Sequence, residues 1–153
     1  MKTRIKIFIM LLIVAVAAIG ASAQSAFFKE CEKLPGVQTV YVSKLMLGMA
    51  AKSGITTGNV DVSSLVNKLD ALEVINAEGE AVKTLEKKIQ PLTGYETLLT
   101  VNDDGENVQI LFKDLGKGRS EFRIVAHEPD QLAIVCFLGT MTMEEVIAAV
   151  NKQ

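Results

Sequence analysis

Two cysteines are the residues of this sequence with the clearest chemical potential. Cys31 and Cys136 form an even pair, which favours a disulfide bond in an oxidising compartment. Cys31 lies on an apolar stripe, and Cys136 shares strand parity with Leu132, Ile134 and Leu138, so both thiols are predicted to point inward. The alternative is two separately buried thiols that act as small apolar side chains. The sequence has no C-x-x-C motif, which argues against a redox enzyme.

His127 is the single histidine, and with Glu128 and Asp130 it is a candidate start of a metal site. A zinc site needs at least three protein ligands in a fixed geometry. His127 shares strand parity with Glu121 and Arg123, which we expect to face solvent, so a solvated turn is the better interpretation. We therefore predict neither a bound metal nor a cofactor.

We searched the sequence for ion-binding loops and for the motifs of catalytic triads. Residues 102–106 lack the ligand spacing of a calcium loop, and residues 115–120 lack that of a phosphate loop, so both are predicted to be hairpin turns. Neither G-x-S-x-G nor S-x-x-K occurs, and one histidine leaves one candidate base. With eighteen acidic residues, a pair of carboxylates for glycoside hydrolysis stays an open possibility. Sugar-binding sites usually stack the sugar on aromatic side chains, however, and this sequence has no Trp. We predict no catalytic residues and no enzyme.

The amino terminus has the pattern of an export signal. Lys2, Arg4 and Lys6 precede an uncharged apolar run at residues 7–19, and Ala21-Ser22-Ala23 is a small-x-small cleavage pattern. Thirteen helical residues span about 20 Å, which is short of a hydrocarbon core of about 30 Å and disfavours the alternative of an uncleaved anchor. We predict a signal peptide at residues 1–23, cut between Ala23 and Gln24, and a periplasmic or secreted product that meets the membrane only in transit.

Removal of the signal changes the charge balance. Three of the 16 basic residues lie in it, and none of the 18 acidic ones, so residues 24–153 carry a net charge of −5. The remaining Lys and Arg residues are scattered, whereas binding to phosphate backbones needs clustered positive charge. Nucleic acid is therefore not an expected partner. The length of residues 24–153 separately predicts a single domain.

Apolar periodicity changes from helical to alternating along the domain. The first half predicts helices and strands in turn, with Ser43 and Asp61 as helix caps, a helical stripe that ends at Leu69 and a short strand at residues 72–75. The second half predicts four strands separated by turns, and then a helix that begins at the capping box of Thr142 and Glu145. The fold class is α+β, with a mostly antiparallel sheet, a C-terminal four-strand meander and helices packed on one face.

Six short motifs resemble a known family. They are Thr39-Val40-Tyr41-Val42-Ser43-Lys44, Leu69-Asp70-Ala71-Leu72, Tyr95-Glu96, Asp104-Gly105-Glu106, Glu128-Pro129-Asp130-Gln131-Leu132 and Gly139-Thr140-Met141-Thr142. In this order and spacing the chain resembles the bacterial envelope family called domain of unknown function 4252. The resemblance implies an exported, small α+β protein without an established activity or catalytic residues. Some members carry a lipid-attachment cysteine after the signal, where this chain has Gln24.

Two classes of function follow. The first is a non-catalytic envelope protein that acts in envelope maintenance or binds another protein or envelope component, for example by adding a partner strand to an exposed sheet edge. The second is a small-molecule or lipid binder whose pocket lies between the helices and the sheet. The methionines fit either an adaptable binding surface or, preferably, core packing; they are Met46, Met49, Met141 and Met143.

Overall fold

The computed structural model describes residues 24–52, 66–89 and 94–150. In these ranges a six-stranded sheet carries helices near both ends of the chain and between its strands. The elements in chain order are α1 (Ala26–Cys31), β1 (Val37–Ser43), α2 (Lys44–Lys52), β2 (Leu69–Glu78), α3 (Glu80–Ile89), β3 (Glu96–Asp103), β4 (Glu106–Gly116), β5 (Arg119–Glu128), β6 (Gln131–Gly139) and α4 (Met143–Val150).

The sheet has the strand order β1-β2-β6-β5-β4-β3, and every neighbouring pair is antiparallel. Strands β3 to β6 lie side by side in chain order, whereas β2 pairs with β6, the last strand of the chain. The prediction of an α+β fold with a mostly antiparallel sheet is confirmed. The two edges of the sheet are β1 and β3.

Helices cover both faces of this sheet, so the prediction of helices on one face is wrong. On the first face, Phe28 of α1 and Leu85 of α3 pack with Ile75 of β2; we call it the α1/α3 face. On the opposite face, Leu47 of α2 packs with Val74 of β2, and Val146 of α4 joins the same cluster; we call it the α2/α4 face. Successive residues of a strand point to opposite faces, so the neighbours Val74 and Ile75 of β2 belong to different cores.

The reason for two covered faces lies in β2. Residues 71–77 are buried without interruption, as expected for a strand with packing on both sides. The strand also begins earlier than the sequence predicted: Leu69, assigned there to a helical stripe, is its first residue. The predicted cap at Asp61 lies outside the described residues.

The centre of the α2/α4 face is apolar. Register places four residues from four neighbouring strands in one line across this face, and we call them the aromatic row: Leu72, Phe137, Phe122 and Phe112. The Phe112 and Phe122 rings lie 4.9 Å apart between centroids and are tilted by 50°, a favourable arrangement for aromatic pairs. Beside this row, the hydroxyl group of Ser120 donates a hydrogen bond to the backbone oxygen of Met141.

Local signals at turns and caps agree with the structure. The β3–β4 hairpin turns at Asp104 and Gly105, with φ of 44° and 83°, and the next hairpin turns at Lys117 and Gly118, with φ of 54° and 74°. Positive φ at both central residues is the requirement of two-residue hairpin turns of type I′. The predicted capping box at α4 is formed: the Glu145 amide donates to Thr142 Oγ1 (3.2 Å), and the Thr142 amide donates to Glu145 Oε2 (3.0 Å).

Candidate functional site

Three polar side chains lie side by side in the middle of the α1/α3 face. Register pairs Glu73 of β2 with Cys136 of β6, and Cys136 with Arg123 of β5. We call these three residues the polar row. Each is at most 5% exposed, so a carboxyl group, a thiol and a guanidinium share a site from which water is excluded. A buried charge requires a partner and hydrogen bonds, which makes the surroundings of the row the first thing to establish.

The positive charge of Arg123 is compensated by one carboxylate and two aromatic rings. Its Nη2 lies 2.7 Å from Glu121 Oε1, and its Nε donates to the same oxygen over 2.9 Å. Its Cζ lies 4.3 Å from the ring centroid of Phe27, in α1, and 4.7 Å from that of Tyr95, just before β3. The guanidinium therefore combines a buried ion pair with cation–π contacts to two rings.

The expectation that Glu121, Arg123 and His127 face solvent is wrong for the first two residues. Glu121 and Arg123 are 6% and 5% exposed. Alternation divides a strand into two sets of side chains, but it does not determine which set other elements cover. Here Phe27 and Tyr95, distant in sequence, cover the charged set.

Glu73 is held by the start of the domain. The backbone amide of Ser25 donates to Glu73 Oε1 and the Ser25 hydroxyl donates to Oε2, each over 2.6 Å. The same hydroxyl oxygen accepts from the Phe28 amide (3.1 Å), so Ser25 is also the N-cap of α1. Burial raises the pKa of Glu73, and the two hydrogen bonds from Ser25 act in the opposite direction. The side chain is fully buried.

Cys31 and Cys136 are free thiols in this structure, and they belong to one core cluster on the α1/α3 face. The prediction that both point inward is confirmed, while the disulfide between them stays a prediction. Burial raises the pKa of Cys31 to about 11 and the pKa of Cys136 still further, against the opposing charge of Arg123. Both groups are therefore protonated near neutral pH, a state in which thiols are poor nucleophiles and poor metal ligands.

His127 does not combine with its neighbours in sequence. Its Nε2 lies 2.5 Å from Glu86 Oε1 on α3, so it connects this helix to β5. Glu128 alternates with His127, faces the other side of the sheet and is 7% exposed, and Asp130 lies in the exposed turn. Within the described ranges, no group of three His, Cys, Asp or Glu residues is placed to hold a metal ion.

The predicted cleavage junction meets the described structure at its beginning. Ala23 lies outside the described residues, and Gln24 is the first of them. No helix in the described part of the chain is both long and apolar enough to cross a membrane. Of the four methionines considered, Met141 is buried, Met46 and Met143 are half-buried and Met49 is 58% exposed.

The outer strand β3 exposes an apolar surface. Leu99 is 46% exposed and Val101 is 42% exposed, and their register partners on β4 are Ile110 and Val108. Residues 97–102 carry no charge, and β3 is the last strand of the sheet, so one side of its backbone has no partner strand in the described structure. We call residues 97–102 the β3 edge.

Sequence reasoning missed the polar row because its members come from distant segments. One signal was present: Glu73 is the only charged residue in the buried run at residues 71–77. A charge inside an apolar strand indicates that a partner covers it. The identity of that partner, Ser25, follows only from the three-dimensional structure.

The comparisons with known proteins give one match. The model of a family described as "Domain of unknown function (DUF4252)" matches residues 28–149 of this chain. No curated protein matches the sequence. No solved structure matches it either.

Proposed function

The chain belongs to the DUF4252 family, whose description assigns no activity, and we propose that it is an exported, non-catalytic module of the bacterial envelope that binds a macromolecular partner. The proposal has three parts: export, absence of catalysis and partner binding. A different observation supports each part.

Export is supported by the amino-terminal pattern. Lys2, Arg4 and Lys6, the apolar run and Ala21-Ser22-Ala23 have the order of a cleaved secretory signal. Cleavage between Ala23 and Gln24 would release a domain in the periplasm or outside the cell. Gln24 is not a lipid-attachment residue, so the proposed contact with the membrane ends with cleavage.

A non-catalytic role is supported by the state of the polar row. Catalysis requires groups that touch a substrate and titrate near the working pH. Glu73, Cys136 and Arg123 are shielded from solvent, and burial keeps Cys136 protonated by raising its pKa. Arg123 is already occupied by Glu121 and two aromatic rings. This arrangement fits a structural role.

The β3 edge carries the proposal of partner binding. An edge strand with free backbone groups adds strands from other chains, and natural proteins usually protect such edges with charges, prolines or bulges. Residues 97–102 of the β3 edge contain neither a charged residue nor a proline. The strand has a bulge, but it lies near the start, between Thr97 and Leu99. Leu99 and Val101 add apolar area to the hydrogen-bonding edge. We propose that an extended segment of an envelope protein pairs with β3.

The second candidate function is the binding of a small molecule or lipid between the helices and the sheet. The observation in its favour is the concentration of charged groups beneath α1, where a ligand would displace Phe27 from Arg123. In this case α1 would have to move, because the row is closed to solvent in the structure.

In-cell photo-crosslinking tests the leading proposal. A photoreactive amino acid at position 101 of the full chain, in a bacterium that exports it, should give one defined adduct with an envelope protein. Introducing Leu99→Lys into the same chain should reduce that adduct about tenfold or more, because a charge at the contact weakens apolar pairing by 1.4 kcal/mol or more.

Leu115 provides the matched control. It is 44% exposed and lies in the same sheet, but on β4 outside the β3 edge. Leu115→Lys should leave the adduct unchanged. Equal loss in both variants would contradict binding at β3. No adduct, together with a small molecule retained by the exported protein in native mass spectrometry, would favour the second function.

A further inference from the structure

Ser25 and Glu73 bring the beginning of the domain to the middle of the sheet. Ser25 is the second residue after the proposed cleavage junction, and both of its hydrogen bonds to Glu73 are 2.6 Å long. One of these bonds uses the backbone amide, which is independent of the side chain at that position. The residue that follows the new amino terminus is thus tied to a fully buried carboxyl group.

This carboxyl group lacks a cationic partner in the described part of the chain. Glu73 takes part in none of the ion pairs found there, and the nearby Arg123 is paired with Glu121. The groups that surround Glu73 are Ser25 before α1, Tyr41 on β1, Cys136 on β6 and the Arg123–Glu121 pair on β5. An ionised carboxyl group in such a place is costly unless a positive charge approaches it.

We propose that signal cleavage supplies this charge: the α-ammonium group released at Gln24 forms an ion pair with Glu73. The inference rests on the proposed export and on cleavage between Ala23 and Gln24. In that step water breaks the C–N bond. Its hydroxyl group goes to the Ala23 carbonyl carbon and its hydrogen to the Gln24 nitrogen; the new amine then takes up a proton as the new acid loses one.

The geometry of the chain limits how far the new charge can lie from Glu73. One residue spans at most about 3.6 Å, so the Gln24 nitrogen lies within roughly 6 Å of Glu73 Oε1 once the 2.6 Å bond from the Ser25 amide is included. Opposite charges within about 4–6 Å favour their charged forms. Glu73 is fully buried and Gln24 is half-buried, so salt screens this pair less than it screens two exposed charges.

The consequence is a domain that gains stability when it is cut. In the precursor the Gln24 nitrogen is an uncharged amide, and Glu73 has only hydrogen bonds. In the mature protein the ion pair also fixes α1, which brings Phe28 and Cys31 into the core and Phe27 onto Arg123. The folded state therefore becomes more stable after the signal has been removed.

The test begins with the full chain expressed in a bacterium that exports it. Intact mass identifies the first residue of the exported product. A product that begins elsewhere overturns both the proposed cleavage and the ion pair. A product that begins at Gln24 but has lost ammonia by cyclisation has no α-ammonium group and overturns the ion pair alone.

The product that begins at Gln24 with a free amine is then acetylated at the α-amino group, at a mildly acidic pH where lysines react little. Acetylation should lower the midpoint of thermal unfolding by roughly 3–6 °C. In the exported Glu73→Gln variant, acetylation should shift the midpoint by less than half as much. Equal shifts in both proteins would overturn the ion pair while leaving export intact.

A second measurement covers the case in which Glu73→Gln does not fold. The pKa of the α-amino group is measured by NMR in the unmodified exported protein. An ordinary value is about 7.7–8.0, and a nearby carboxylate raises it. A value above this range supports the ion pair, and a value within or below it overturns the proposal.

Discussion

Strands β2, β6 and β5 contribute to both the aromatic row and the polar row, with residues that are neighbours in sequence. Leu72 neighbours Glu73, Phe122 neighbours Arg123, and Phe137 neighbours Cys136. Both rows are covered by helices, but one is stabilised by the exclusion of apolar surface from water and the other by charge compensation. A shift of register by one residue would exchange the two rows, so the sequence specifies this register strongly.

The polar row should be the more sensitive of the two. Arg123→Ala leaves Glu121 buried without its partner and removes contacts with two rings. We expect the free energy of unfolding to fall by about 3–5 kcal/mol, measured by urea denaturation.

Arg119→Ala is the matched control for Arg123→Ala. Arg119 lies on the same strand and its Nη2 lies 3.5 Å from Asp70 Oδ2, but its side chain is 53% exposed. Its loss should change the free energy of unfolding by less than about 1 kcal/mol. Similar losses in the two variants would remove the distinction between a buried and an exposed ion pair.

The aromatic row should respond through volume alone. Phe122→Leu keeps an apolar side chain but leaves space next to Phe112. We expect a loss of about 1–2 kcal/mol in the free energy of unfolding. The loss should be equal at low and at high salt, since no charge is changed. A strong dependence on salt would contradict the separation of the two rows.

The effect of pH on stability concerns the thiol of Cys31, which lies on α1 in the same core cluster as Cys136. The raised pKa of Cys31, about 11, favours the protonated thiol in the folded state. The folded protein therefore retains a proton that the unfolded chain loses, and the free energy of unfolding should decline as pH rises from about 9 to 11. Urea denaturation at several pH values measures the decline, and Cys31→Ala should reduce its slope. An unchanged slope would contradict the assignment.

Local features of this fold could be predicted from the sequence. Thr142 with Glu145, and Asp104 with Gly105, depend on residues within four positions of each other, and the structure contains both. The inward direction of Cys136 was also predictable, because the residues that share its strand parity are apolar, and Leu132, Ile134 and Leu138 are all buried.

The candidate site depended on long-range contacts. Ser25 and Glu73 are 48 positions apart, and the sequence contains no rule that pairs them. Arg123 was assigned to solvent because a charge usually lies there, and only the position of Phe27 and Tyr95 reverses this. Long-range contacts also explain why helices were predicted on one face only. An apolar strand indicates that it is buried, but not which helices cover each of its faces.

The pairing of β2 with β6 has a consequence for the order of folding. Glu73 and Cys136 are register partners although α3 and three strands separate them in sequence, whereas β3, β4 and β5 each pair with the next strand along the chain. Closing a long loop costs more entropy than closing a hairpin, and it slows folding. We therefore expect the hairpins of β3 to β6 to form early in folding, while β2, with β1 and α1, joins the sheet only after β6 is in place. The buried charges would then be enclosed in the final step.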